Sequence, residues 1–208
     1  FMARCAPWRA ADWTPSMTDS LRRRTALQAG GGAALLSWLP SLRAQSQSAA
    51  ERPGWPAWEA FKAQFLNEDG RVISDDAGGG QTYSEGQAYA LFFALVANDR
   101  AAFDKLLRWT ENNLCDGDMT ARLPAWLWGK RPDGSWGVID SNAASDADLW
   151  IAYALGEAGR LWKLRSYRAL SALLATRILR EETAQLPGLG LTLLPAPQGF
   201  AQGDGRWR

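Results

Sequence analysis

Two runs of this 208-residue chain set carboxylates where apolar, helix-like stretches begin. Ser84-Glu85-Gly86-Gln87-Ala88-Tyr89 is one, and Ala144-Ser145-Asp146-Ala147-Asp148 is the other. Leu149-Trp150-Ile151-Ala152-Tyr153-Ala154-Leu155 follows the second. Two carboxyl groups aimed across a groove can work as acid and base if one stays protonated and one charged. Cleavage of a sugar acetal is a reaction that needs such a pair. The chain has no histidine. That removes a Ser-His-Asp triad, a Cys-His pair and most zinc sites. Cys5 and Cys115 stand far apart and fit no metal spacing. No metal or other cofactor is expected, and the chemistry must rest on Asp, Glu, Tyr, Arg or Lys.

The same runs have a plainer reading. Ser84-x-x-Gln87 and Ser145-x-x-Asp148 both fit helix capping motifs. Acids in a first helical turn also interact well with the positive helix end. Spacing alone leaves capping and catalysis both open for Glu85, Asp146 and Asp148. A hydrophobic surround would favour the protonated form of Glu85, while the helix dipole would oppose it. Tryptophan adds a second signal. Of twelve Trp, nine lie in residues 45–208. An indole offers a flat apolar face and one N–H donor, which suits the C–H face of a pyranose as well as a core.

The N-terminal region reads as a targeting segment. Met17 precedes Leu21-Arg22-Arg23-Arg24, then a glycine-diluted apolar run from Ala29 to Pro40, then Ser41-Leu42-Arg43-Ala44. A charged start, a short apolar middle and a small-residue end describe an export signal over 17–44, of twin-arginine type. The run is shorter than the ~20 residues a membrane span needs. A periplasmic or secreted location is the expectation. Residues 1–16 read as an upstream extension, and residues 45–54 as a linker rich in Gln, Ser and Ala. Residues 1–44 hold six Arg and two Asp. The body, 45–208, carries 17 Lys and Arg against 20 Asp and Glu, and so has no basic excess for nucleic acid.

Helices dominate the body. The apolar spacing of Trp58, Phe61, Phe65 and Leu66 predicts a helix over 56–66, with Pro56 in its first turn. Others are expected over 85–96, 99–114, 146–158 and about 166–182. The third should turn Phe103, Leu106, Leu107 and Thr110 inward, and Arg100, Asp104, Lys105 and Glu111 outward. No alternating strand pattern of any length is visible. Ala97-Asn98-Asp99 reads as a tight turn. Two connections, 67–83 and 115–145, are long enough to suggest function. The second carries Trp126, Trp128 and Trp136, with Asp140 and Asn142. Short turns at one end and long loops at the other suit a helical barrel with a cleft at the long-loop end.

With Ala158 and Trp162 added, the Asp146 run resembles the signature of glycoside hydrolase family 8. Support comes from Trp55-Pro56-Ala57-Trp58-Glu59, Ser84 to Tyr89, Ala97 to Asp104 and Leu123-Pro124-Ala125-Trp126-Leu127-Trp128-Gly129-Lys130. Asp140-Ser141-Asn142 and Pro187-Gly188-Leu189-Gly190 extend it. The resemblance covers 55–208, and within the family it is closer to the periplasmic endoglucanases of bacterial cellulose-synthesis operons. It implies an all-α (α/α)6 barrel of six helical hairpins, and hydrolysis of β-1,4-glucan with inversion. Cellulose or cello-oligosaccharides are the implied substrate, and the cellulose synthase complex an implied partner. Glu85 takes the place of the general acid. Asp146 takes the place of the signature aspartate, read as binding and distorting the sugar beside the scissile bond. An inverting pair stands about 6.5–9.5 Å apart. Trp126 and Trp128 are candidate stacking platforms, and Asp140 and Asn142 candidate polar contacts.

Only about five helices follow Trp55, so the barrel is expected to be incomplete, roughly its first half. The family's general base stands on a later helix, and no residue here matches it. The 208-residue chain alone is therefore expected to hydrolyse little. The alternative reading is a non-catalytic half-barrel that binds glucan through its tryptophans.

Overall fold

Five helices carry the chain in the computed structural model, which describes residues 54–74 and 80–201. The expected extension and export signal, and nearly all of the expected linker, lie outside the described residues. Helix α1 is Pro56–Phe65, α2 Ser84–Val96, α3 Arg100–Leu114, α4 Ser145–Leu161 and α5 Arg165–Glu181. Each lies within two or three residues of its expected range. Helices α2 and α3 form one hairpin, α4 and α5 another, and α2 packs along α4. The core between them is small and aliphatic. Ala88, Leu91 and Ala94 of α2 are buried with Ala147, Ile151, Ala154 and Leu155 of α4.

Helix α3 buries Phe103, Leu106, Leu107 and Thr110, as its amphipathic pattern requires. The α4–α5 turn is tight because Gly159 has no side chain. A Cβ there would come within 2.6 Å of Arg168 Cγ and 2.8 Å of Arg168 N. Farther along the hairpin, Ser171 Oγ donates to the Ala152 carbonyl at 2.7 Å.

The short-turn end is held by one carboxylate. Asp99 is the N-cap of α3, its Oδ1 accepting from Ala102 N at 3.0 Å. Its Oδ2 accepts from Lys62 Nζ at 2.8 Å and Trp58 Nε1 at 3.1 Å, which binds α1 to the turn. Trp162, just past α4, donates its indole N–H to Asn98 Oδ1 at 2.9 Å. Burial alone would raise the Asp99 pKa. Its bonds to Lys62, Ala102 and Trp58 outweigh that and hold it below the usual carboxylate range.

The long connections are not irregular throughout. They hold one small antiparallel sheet, and a second follows α5; the sequence reading foresaw neither. Strands β1 (Thr82–Tyr83), β2 (Leu127–Lys130) and β3 (Trp136–Asp140) form one, in the order β1-β2-β3. Strands β4 (Thr183–Leu186) and β5 (Gly190–Leu193) form a hairpin after α5. At two to five residues each, these strands are too short to show a period of two in sequence.

The capping expectation also needs correction. Ser84 and Ser145 are the first helical residues, and the N-cap positions belong to Tyr83 and Ala144, neither with a side-chain cap. Gln87 has a different task. Its buried Oε1 accepts from Val72 N at 2.6 Å, and its Nε2 donates to Gly70 O at 3.1 Å and Thr110 Oγ1 at 2.9 Å. One amide thus ties the loop before β1 to α2 and α3. Gly70 itself has φ +96, and a Cβ there would meet Lys105 O at 2.4 Å.

Two outcomes follow from these contacts. Gly70→Ala is expected to lower stability by clearly more than ~1 kcal/mol, since both φ and the facing backbone forbid a side chain. Asp99→Ala is expected to cost about 0.5–2 kcal/mol at neutral pH, the range for a lost cap. Because the folded Asp99 pKa is depressed, its contribution is present above about pH 4 and fades below it. Urea titrations at neutral and acid pH should show the Asp99→Ala deficit shrinking in acid.

Candidate active site

The side-by-side packing of α2 and α4 sets their first turns at one rim. Glu85 is the second residue of α2 and Asp146 the second of α4. Glu85 is partly buried, and Ser84 Oγ donates to its Oε2 at 3.2 Å. Asp146 is exposed. Tyr89, one turn after Glu85 on α2, stands between the two acids. Loss of solvent raises its phenol pKa first; the Asp146 and Glu85 charges, and a hydrogen bond with Asp146, add to the rise.

Glu85 opens into a groove of about 600 Å³ whose walls include Phe61, Val72, Tyr83, Tyr89 and Trp126. Asp146 borders a neighbouring apolar hollow with Phe92, Leu149, Trp150 and Tyr153. Phe92 and Trp150 are in ring contact at 4.8 Å, and Tyr153 stays 54% exposed, so this aromatic face is open. A carboxyl group in an aromatic groove beside an exposed carboxylate has the polarity that acid/base work on a sugar requires.

Trp126 belongs to this rim. Its carbonyl accepts from Ser84 N at 3.0 Å, and its own N–H donates to Asn142 O at 2.8 Å. Its ring lies 5.9 Å from that of Tyr83. Asp140 stands behind it. The Asn142 N–H and the Trp126 side chain hold the Asp140 carboxyl below the usual range. Asp140 therefore orients Trp126 and the 140–142 turn.

Trp128 lies elsewhere. The pairing of β2 with β3 shifts register between Leu127 and Trp128. Such an irregularity increases local twist, and the two indoles diverge there. Trp128 stacks with Trp136 at 5.4 Å and meets Trp109 edge-on at 5.3 Å. The Arg71 guanidinium sits 4.4 Å from its ring centroid. Trp128 and Trp136 line a separate polar cleft of about 790 Å³ that also includes Asn142. Asn142 is engaged with Gln198, its Nδ2 donating to Gln198 O at 3.2 Å and its Oδ1 accepting from Gln198 N at 3.3 Å. The structure thus gathers Glu85, Asp146 and Trp126, with Asp140 in support, and places Trp128 and Asn142 in the second cleft.

The sequence reading gave Tyr89 no role. Its signal was available: a Tyr four residues after Glu85 shares that residue's helix face. For Asp148 the sequence left capping and catalysis both open. Asp148 caps nothing; its carboxylate is buried behind Asp146, beside Glu182. Among the described residues, no group of three or more His, Cys, Asp or Glu could hold a metal ion.

Known proteins resemble this chain in sequence and in fold. Residues 33–208 match the family described as glycosyl hydrolases family 8. An endoglucanase of Escherichia coli is 54% identical over 154 residues, which are 74% of this chain and 42% of that protein. An endoglucanase of Xanthomonas axonopodis is 47% identical over 189 residues, 90% of this chain and 48% of its own length. The crystal structure of an endo-1,4-D-glucanase from Vibrio fischeri superposes with a TM-score of 0.69 at 58% identity, over 72% of this chain and 43% of that one. A cold-adapted family 8 xylanase, at 19% identity and a TM-score of 0.52, shares the fold. The helical hairpins described here are thus part of the (α/α)6 barrel of these relatives, and the chain spans less than half the length of each of these proteins. By sequence and by fold, the chain belongs to glycosyl hydrolases family 8.

Proposed function

We propose that this chain contributes the acid half of an endo-β-1,4-glucanase site, acting on cellulose or cello-oligosaccharides with inversion. The observation that carries the reading is the rim itself: Glu85 in an aromatic groove, Asp146 exposed on the neighbouring helix, and Tyr89 between them. Glu85 is the proton donor to the leaving oxygen. Asp146 and Tyr89 bind the ring next to the scissile bond and hold it distorted. Trp126, locked by its backbone bonds and by Asp140, supports a sugar face. The similarity to the named endoglucanases supports the choice of a β-1,4-glucan.

An inverting reaction also needs a carboxylate base that activates water on the opposite face of the sugar. We assign that base to no residue of this chain. The export signal proposed for 17–44 puts the work in the periplasm or outside the cell. There, cleavage of nascent glucan beside the cellulose synthase complex is the proposed role.

The 208-residue chain is expected to bind cello-oligosaccharides, seen as a change in tryptophan fluorescence, and to release few reducing ends from soluble β-glucan. Absence of binding would end the glucan reading. Rapid turnover would show that the base is in the chain after all. Whatever hydrolysis is measured should fall about 10²–10⁴-fold in Glu85→Gln, the usual contribution of a general acid. Tyr89→Phe, which removes one hydroxyl from the rim, is expected to weaken oligosaccharide affinity about two- to tenfold.

A further inference from the structure

Asp148 and Glu182 are both 0% exposed. All four of their carboxylate oxygens are buried, without a hydrogen-bond donor among the other described residues. The two groups are within hydrogen-bonding reach of each other. Asp148 is in the first turn of α4, and Glu182 follows the last residue of α5. The charged groups around them make the arrangement more costly. Asp146 on α4 acts on both, Glu85 on α2 acts on Asp148, and Glu181 acts on Glu182. Cys115, past the end of α3, is a buried thiol that feels the Asp148 charge. Glu181 is itself paired with Arg177 and Arg180, so those cations are already engaged.

Two buried carboxylates side by side, with no cation against them among the described residues, cannot both remain charged. A single proton resolves the conflict. It supplies the missing donor, lets one oxygen bond to another, and leaves one negative charge in place of two.

We propose that Asp148 and Glu182 share one proton and that this carboxyl pair is a positioning device. It joins the first turn of α4 to the end of α5 and so holds Asp146, two residues before Asp148, at the rim. The pair itself does not depend on the glucanase reading; its consequence for sugar binding does. Burial and the facing charge raise the Asp148 pKa well above the ordinary value, making it the donor. Burial also pushes the Glu182 carboxyl up to about 7, against the lowering effect of the bond from Asp148. The pair titrates as a unit.

The sign of the pH effect follows. Unfolded carboxyls release their protons near pH ~4. Between there and about 7 the folded pair holds protons that the unfolded chain has lost; once Glu182 has ionised at about 7, the shared proton stays on Asp148 to higher pH. This contribution to stability is complete below about pH 4 and declines as pH rises, by up to about tenfold in the unfolding equilibrium per pH unit for one proton.

The test compares this chain with Asp148→Asn, Asp148→Ala and Glu182→Gln in urea titrations from pH 4 to pH 8. An amide at 148 donates to Glu182 at every pH. Asp148→Asn should therefore fold, lose most of the decline, and equal or exceed the unsubstituted chain above neutrality. Glu182→Gln should flatten the decline in the same way. Asp148→Ala, with no donor, should be weaker than Asp148→Asn throughout. A decline of equal slope in the unsubstituted chain, Asp148→Asn and Glu182→Gln would overturn the shared proton. If the variants do not fold, a protonated-carboxyl infrared band of the folded, unsubstituted chain at pH 7, where ordinary carboxyls are ionised, decides instead; its absence there overturns the proposal. Cellohexaose affinity, read by tryptophan fluorescence, should weaken with rising pH in the unsubstituted chain and not in Asp148→Asn. Parallel affinity curves would remove the positioning role. Absence of cellohexaose binding at every pH in every protein would instead defeat the glucan reading, with the stability contrast still judging the pair.

Discussion

The rim depends on α2 and α4 lying alongside each other with their first turns at the same end. Everything chemical here is attached to that packing. The buried residues between the hairpins are mostly Ala, Leu and Ile, so the helices can approach closely and leave little room for sliding. Glu85 and Asp146 are second residues of their helices, so a one-turn slip of either would remove one acid from the rim. Both ends of the arrangement are held by polar bonds that packing alone would not supply. Asp99 and Asn98 hold the short-turn end, while Gln87, Trp126 and Asp140 hold the loop end.

The two ends use different physics. At the short-turn end, charge and capping are partly exposed to water, so single bonds there are individually modest. At the loop end Gln87, Asp148 and Glu182 are buried, and an unsatisfied polar atom there is costly. Gln87 answers that cost by giving every amide atom a partner. Asp148 and Glu182 cannot do so while both are ionised, which is why a proton is needed in that place and not elsewhere in the core.

Most of the helical framework was legible from the residues. Apolar spacing located all five helices, and the inward face of α3 was read correctly from Phe103, Leu106, Leu107 and Thr110. The short strands were not legible. Their pairing comes from contacts between segments up to 46 residues apart, such as Thr82 with Trp128, and two to five residues carry too little pattern to announce it. Ser84 and Ser145 misled for a local reason: a cap motif describes a side chain one position before the helix, and here the helices begin one residue earlier.

Residue types alone pointed to carboxylate chemistry. A chain without histidine, with acids at helix starts and many indoles, leaves few other choices. The runs around Glu85 and Asp146 also determined the family. The tertiary structure decided which of those residues meet. It placed Trp126 with Glu85 and sent Trp128 to a different cleft. It set Tyr89 between two acids that are 61 positions apart in sequence. It also turned Asp148, one of two similar aspartates on one turn, inward to face Glu182. Sequence states what each residue can do. Burial, partner and charge are properties of the space around a side chain, and they exist only once distant segments have packed together.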